Sequence, residues 1–243
     1  MTTTRRPYDL EDAYSKLEWV TLQLPIISAK LQSFVDSKPY RFWSEPDLKR
    51  GGTLYKLKMI KKVPTEIAVP ISNCLHQTRS SLDHLAVALA VRNKVENTRY
   101  VMFPINKSKV TFMENGIEKI KKLSAVDIEK IKSLKPYKGG DNLLYALNEL
   151  NNVDKHNQPL LLNGYTASVS IANGFGSIET KQDAWGHLDK ERTLLWIGEG
   201  GHYDFRCSVG ISFQEVGQDP SLPLTHALES FVNRVKFVLQ QFH

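Results

Sequence analysis

The period at which apolar residues recur changes along this chain, and that change fixes its fold class. Spacing of three or four governs most of the first 159 residues, alternation governs 160–216, and helical spacing returns after Pro223. Side chains repeat every 3.6 residues around a helix and every 2.0 along a strand, so one register cannot serve both structures. The pattern predicts an α+β chain: a helical bundle with an antiparallel sheet formed by an early hairpin and three late strands.

In the helical part, Leu10, Ala13, Leu17, Val20, Leu24, Ile27, Leu31 and Phe34 mark a long helix over 8–37, with a kink or break expected at Pro25. Segments 40–43 and 53–60 are β-prone and separated by Pro46 and Gly51-Gly52, the pattern of a hairpin. Ile67, Ile71, Leu75, Thr78, Leu82, Leu85 and Leu89 predict a second helix over 65–93, followed by an extended connector at Phe103-Pro104-Ile105 and a short irregular helix over 109–119. Ser124 and Asp141 are the expected N-caps of two further helices, which Pro136 and Pro159 end. The late strands are centred on Ala167 to Ile171, Leu194 to Ile197 and Phe205 to Phe213, with Gly198 to Gly201 expected as a hairpin turn. Ala227, Phe231, Val235 and Val238 form the stripe of a final helix. Without a linker or internal repeat, one domain over 1–243 is expected, its motif-bearing core at about 65–159.

Composition narrows the class further. No apolar run reaches the roughly 20 residues that span a bilayer, and the first ten residues lack a signal segment, so a cytoplasmic protein with no membrane partner is expected. Cys74 and Cys207 are the only cysteines and are far apart, which argues against a disulfide framework or structural zinc and for two small buried hydrophobes. There is no phosphate loop, no His-Glu-x-x-His and no Gly-x-Ser-x-Gly elbow, and no cofactor is expected.

The densest polar cluster is His76-Gln77-Thr78-Arg79-Ser80-Ser81-Leu82-Asp83-His84. A second, Asn151-Asn152-Val153-Asp154-Lys155-His156, continues an apolar stripe with polar groups, and antiparallel packing would let the clusters meet. Arg79, four residues, then His84 resembles the Arg-x4-6-His signature of the HEPN superfamily of helical domains, which includes many ribonuclease toxins and antiviral effectors. The run RSSLDHLAVALA, then FPI, LKPY and LNELNNVDKH, is similar to an uncharacterised bacterial and phage-associated group. The resemblance covers 65–159. It implies a homodimeric, metal-independent endoribonuclease or RNA-binding effector of a toxin or phage-defence system, with RNA and a protein such as an antitoxin as partners. It also implies that Arg79, His84 and His156 are catalytic, with Asp83, Asn152, Asp154 and Lys155 supporting. In such a site one imidazole takes the ribose 2′-hydroxyl proton, another protonates the leaving oxygen, and Arg79 stabilises the phosphate. Five helical steps leave Arg79 and His84 about 140° apart, so convergence requires long arginine reach, an irregular helix or a dimer.

Two other readings compete. In the first, Arg79 and Asp83 are an ion pair, Lys155 and His156 complement a helix C-terminus, and the chain is a non-catalytic binding or assembly protein. In the second, His76, Asp83, His84, Asp154 and His156 supply ligands to a metal-dependent hydrolase.

The chain carries a net charge of +6, and it is segregated. Segment 49–62 holds Lys49, Arg50, Lys56, Lys58, Lys61 and Lys62 with no acidic residue, and 107–138 holds nine lysines against four acidic residues. Lys56, Lys58, Lys61 and Lys62 are the expected RNA contacts, because a polyanion binds by displacing counterions from such a patch.

Overall fold

The computed structural model describes residues 8–156, 162, 164–180, 184–187, 190–213 and 223–243, with backbone alone at 154–156 and 184–187. Its α+β architecture is the expected one. After a single 3-10 turn at Tyr8–Leu10, helix α1 spans Glu11–Asp36 without a break. Pro25 sits inside α1 on its exposed side and the helix continues through it, so of the two expected outcomes the break does not form. Strands β1 (Tyr40–Pro46) and β2 (Thr53–Met59) form the hairpin and lead to α2 (Thr65–Arg92), with Pro70 in its second turn.

Helix α2 runs antiparallel to α1, with the Ser81 hydroxyl donating to the Ala13 carbonyl at 2.8 Å and Lys16 Nζ donating to Gln77 Oε1 at 2.8 Å. It is buried on several sides because α1, α6 and α7 all pack against it. Ile71, Cys74, Leu82, Leu85 and Leu89 have no exposed surface. Burial pushes the Cys74 thiol up to about 11, as befits a buried apolar group.

The expected irregular helix comprises α3 (Lys109–Thr111), a π turn (Phe112–Gly116) and α4 (Ile117–Ile120). Helix α5 (Ala125–Ser133) starts at Ser124, whose hydroxyl accepts from the Asp127 amide at 3.2 Å. Helix α6 (Asn142–His156) starts after Asp141, whose carboxylate accepts from the Leu144 amide at 3.0 Å and from Arg234 Nε at 2.5 Å. The second bond ties α6 to α7 (Leu224–Gln240), the last helix.

Five late strands are described, two more than the alternation marks: β3 (Gly164–Phe175), β4 (Ile178–Thr180), β5 (Ala184–His187), β6 (Arg192–Ile197) and β7 (His202–Ser212). They divide between two antiparallel sheets. The hairpin joins the first, of order β1-β2-β6-β4, and the second has order β5-β3-β7. Because β6 and β7 belong to different sheets, the Gly198 to Gly201 turn carries the chain from one sheet to the other and closes no hairpin. Gly52 is required where this crossing passes the early hairpin: its φ is +80°, and a Cβ there would stand 2.3 Å from the Ile197 carbonyl oxygen. Phe42, Tyr55 and Phe205 bridge the sheets, with ring centroids 5.0 to 6.1 Å apart. One continuous set of buried side chains includes Leu57 and Leu194 from the first sheet, Tyr165 and Ile211 from the second, and residues of α1, α2, α6 and α7. No helix among the described residues is long and apolar enough to cross a membrane.

The Ser81 hydroxyl is fully buried between α1 and α2. Replacing it with alanine removes one buried hydrogen bond, and chemical denaturation should show a loss of about 1 kcal/mol with an unchanged m-value.

Candidate functional site

The two polar clusters do meet, because α2 and α6 pack antiparallel. His76 Nδ1 lies 3.3 Å from Asn151 Oδ1, and one turn further along α2 Arg79 Nε donates to Asn148 Oδ1 at 3.1 Å. Arg79 makes two further bonds. Its Nη1 donates to Asp83 Oδ1 at 2.9 Å, and its Nη2 donates to the Phe103 carbonyl oxygen at 2.8 Å. The same Asp83 oxygen accepts from the Phe103 amide at 2.9 Å. The i, i+4 pair thus grips both the donor and the acceptor of one backbone residue, much as a neighbouring strand would. Pro104 follows Phe103 and favours the extended backbone there, which leaves both groups free for this grip.

Arg79 is 8% exposed, and each of its three nitrogens already has an acceptor. A buried guanidinium is tolerated only when paired and hydrogen-bonded, as here. The guanidinium is turned inward between α2, α6 and the 101–105 connector, an arrangement that matches the alternative reading of Arg79 and Asp83 as an ion pair. Asp83 has a side chain 35% exposed and serves the same grip.

His84 lies elsewhere. It is exposed and faces α1, where Asp12 and Lys16 are its charged neighbours. Partial burial of the ring and then the Lys16 charge hold its pKa below the ordinary 6.5, while Asp12 and Asp83 work in the opposite direction. Within one chain, therefore, the regular helix keeps His84 away from Arg79, as the angle between them predicts. Asn152 is exposed on α6, next to the buried Asn151. Backbone alone is described at Asp154, Lys155 and His156, so their expected roles lie outside the described side chains. His156 is eight residues beyond Asn148, about 12 Å along the α6 axis from the group that binds Arg79. Among the described residues no three His, Cys, Asp or Glu side chains are grouped to hold a metal ion.

The basic hairpin is partly neutralised by residues distant in sequence. Lys56, one of the expected RNA contacts, has a side chain 16% exposed and bridges Glu45 at 2.6 Å and Glu191 at 3.2 Å. Arg50 pairs through both terminal nitrogens with Glu179, at 3.0 and 2.6 Å. Lys58, Lys61 and Lys62 are exposed and have no carboxylate partner among the described residues.

Sequence reasoning passed over Asn148 and Phe103. Asn148 carries a legible signal, since it follows Leu144 by four and precedes Asn151 by three on the inward face of α6. Phe103 has none, because its contribution is a backbone donor and acceptor. No protein-family model, curated protein or solved structure matches this chain.

Replacing Arg79 with methionine leaves Asp83 and Asn148 without their shared partner, and denaturant unfolding should show a loss of about 3 kcal/mol. Unchanged stability would place the guanidinium outside the core. In an NMR titration His84 should protonate below pH 6.5, and Lys16→Met should move its midpoint upward. A depressed folded value means that the unfolded chain takes the proton first, so this histidine withdraws stability as the pH falls below 6.5.

Proposed function

We propose that this protein is a non-catalytic RNA-binding protein in which the Arg79 network locks the fold and the basic end of the early hairpin contacts the RNA backbone. The carrying observation is the commitment of Arg79: it is 8% exposed, and three of its five N–H donors, one on each of Nε, Nη1 and Nη2, are bonded within the protein. The groups suited to phosphate are Arg41, Lys58, Lys61 and Lys62, which are exposed and unpaired with carboxylates among the described residues. RNA is favoured as the polyanion because the resemblance of 65–159 to the HEPN superfamily points to that class.

A dimeric HEPN-like nuclease is the second reading, and one observation favours it. His84 is exposed, and its environment disfavours the imidazolium, leaving the neutral ring that a general base requires. Its partner groups would come from a second copy.

Binding of labelled RNA, measured against salt concentration, tests the first reading. The triple variant Lys58→Ala, Lys61→Ala, Lys62→Ala should weaken binding and flatten the log–log salt slope by about 0.7 for each phosphate that is no longer neutralised. Failure to bind RNA at low salt would end this reading. Mixed RNA incubated with the protein in excess chelator should stay intact. Cleavage abolished by His84→Ala, a substitution at an exposed position, would instead establish the nuclease.

A further inference from the structure

The register of the four-stranded sheet arranges its outer face in three rows. The first row is Arg41 opposite Lys58, and the second is Trp43, Lys56 and Thr193. The third is Glu45, Leu54, Trp196 and Glu179. On the opposite face Leu57 and Met59 are buried in the core, while Phe42, Ser44 and Pro46 along the β1 edge stay exposed. Two tryptophans therefore stand on the solvent side of one sheet. Trp43 and Trp196 flank β2, two strands and one row apart, a separation of about 12 Å from ordinary strand spacing and rise.

Both indole N–H groups are satisfied from within the protein. Trp43 Nε1 donates to Glu45 Oε2 at 3.2 Å, and Trp196 Nε1 donates to the Gly51 carbonyl at 2.9 Å. The rings have no polar demand left, and each carries a guanidinium. Arg41 Cζ lies 5.4 Å from the Trp43 ring centroid, and Arg50 Cζ lies 4.2 Å from that of Trp196. Glu179 holds Arg50 through two bonds, which fixes its orientation over the indole. Guanidinium planes and indoles are both surfaces on which unpaired bases stack.

The first row supplies the charge. Arg41 and Lys58 are like charges placed directly opposite, an arrangement that costs a sheet stability. No carboxylate offsets either among the described residues, while Lys56 in the next row is held by two. Past Lys58 the chain continues into the exposed Lys61 and Lys62. Stacking surfaces thus occupy the second and third rows of the face and unneutralised cations the first, complementary to the bases and phosphates of a single strand.

We propose that the outer face of the β1-β2-β6-β4 sheet is a single-stranded RNA platform, with bases stacking at Trp43/Arg41 and Trp196/Arg50 and phosphates bound by Lys58, Lys61 and Lys62. This rests on the RNA-binding reading and names the form of RNA that the site takes. A duplex keeps its bases stacked internally and cannot use the rings, so the platform discriminates single strands from duplexes.

The test uses the full chain, a 12-nucleotide oligouridine and a duplex of equal length. The single strand should bind more tightly, and Trp43→Leu and Trp196→Leu should each weaken it about tenfold while leaving duplex binding unchanged. Since both rings are half-buried, the wild-type protein is also crosslinked to 4-thiouridine-labelled oligomer, with adducts expected in peptides covering 41–58 and 192–197. Adducts confined to 107–138, or equal affinity for strand and duplex with both tryptophan variants unaffected, would overturn the platform and leave RNA binding in place. Absence of any RNA binding would remove both.

Discussion

The structure depends on a buried guanidinium. Arg79 joins α2 to α6 through Asn148, to its own helix through Asp83, and to the 101–105 connector through the Phe103 carbonyl. Placing a cation at 8% exposure is costly, and the cost is offset only when all of these acceptors are in position. The requirement acts as a specificity device: a slip of α6 by one residue would put Leu147 or Glu149 in place of Asn148, and a shifted connector would leave Asp83 without the Phe103 amide. Apolar packing alone would tolerate such slips far better.

This network also relates three stretches that look independent as sequence. RSSLDH provides Arg79, Asp83 and the Ser81 tie to α1; FPI provides the gripped backbone; LNELNN provides Asn148 and Asn151. Their co-occurrence resembles a dispersed catalytic motif, and in the fold burial and hydrogen bonding link all three stretches. His84 is the member that the lock does not use, and it is left on the opposite side with its ring biased toward the neutral form.

Elements whose apolar period spans several turns were legible: α1, α2, α6, α7 and the hairpin stand close to where spacing places them. The two caps, Ser124 and Asp141, were legible for the same local reason, since a cap is decided within four residues. What local patterning cannot carry is partnership at long range. Alternation identifies β6 and β7 as strands but is silent on their belonging to different sheets, and β4 is only three residues long. The charge count meets the same limit. Segment 49–62 reads as uniformly basic, but Glu179 and Glu191 arrive from more than 120 residues away to neutralise Arg50 and Lys56, leaving the positive potential concentrated at Arg41, Lys58, Lys61 and Lys62.

Strand β2 takes its inner neighbour, β6, from the far end of the sequence, with Thr53 opposite Ile197. Contacts of such separation form late, because the intervening chain must be closed before pairing is rewarded. Until then the hairpin presents an open edge able to recruit a strand from another molecule. Lys56 and Lys58 lie along that edge, and lysines at such positions discourage illegitimate pairing. Both lysines thereby guard the half-made sheet against aggregation, and Glu191 enters with the missing strand to neutralise Lys56 once the guard is no longer needed.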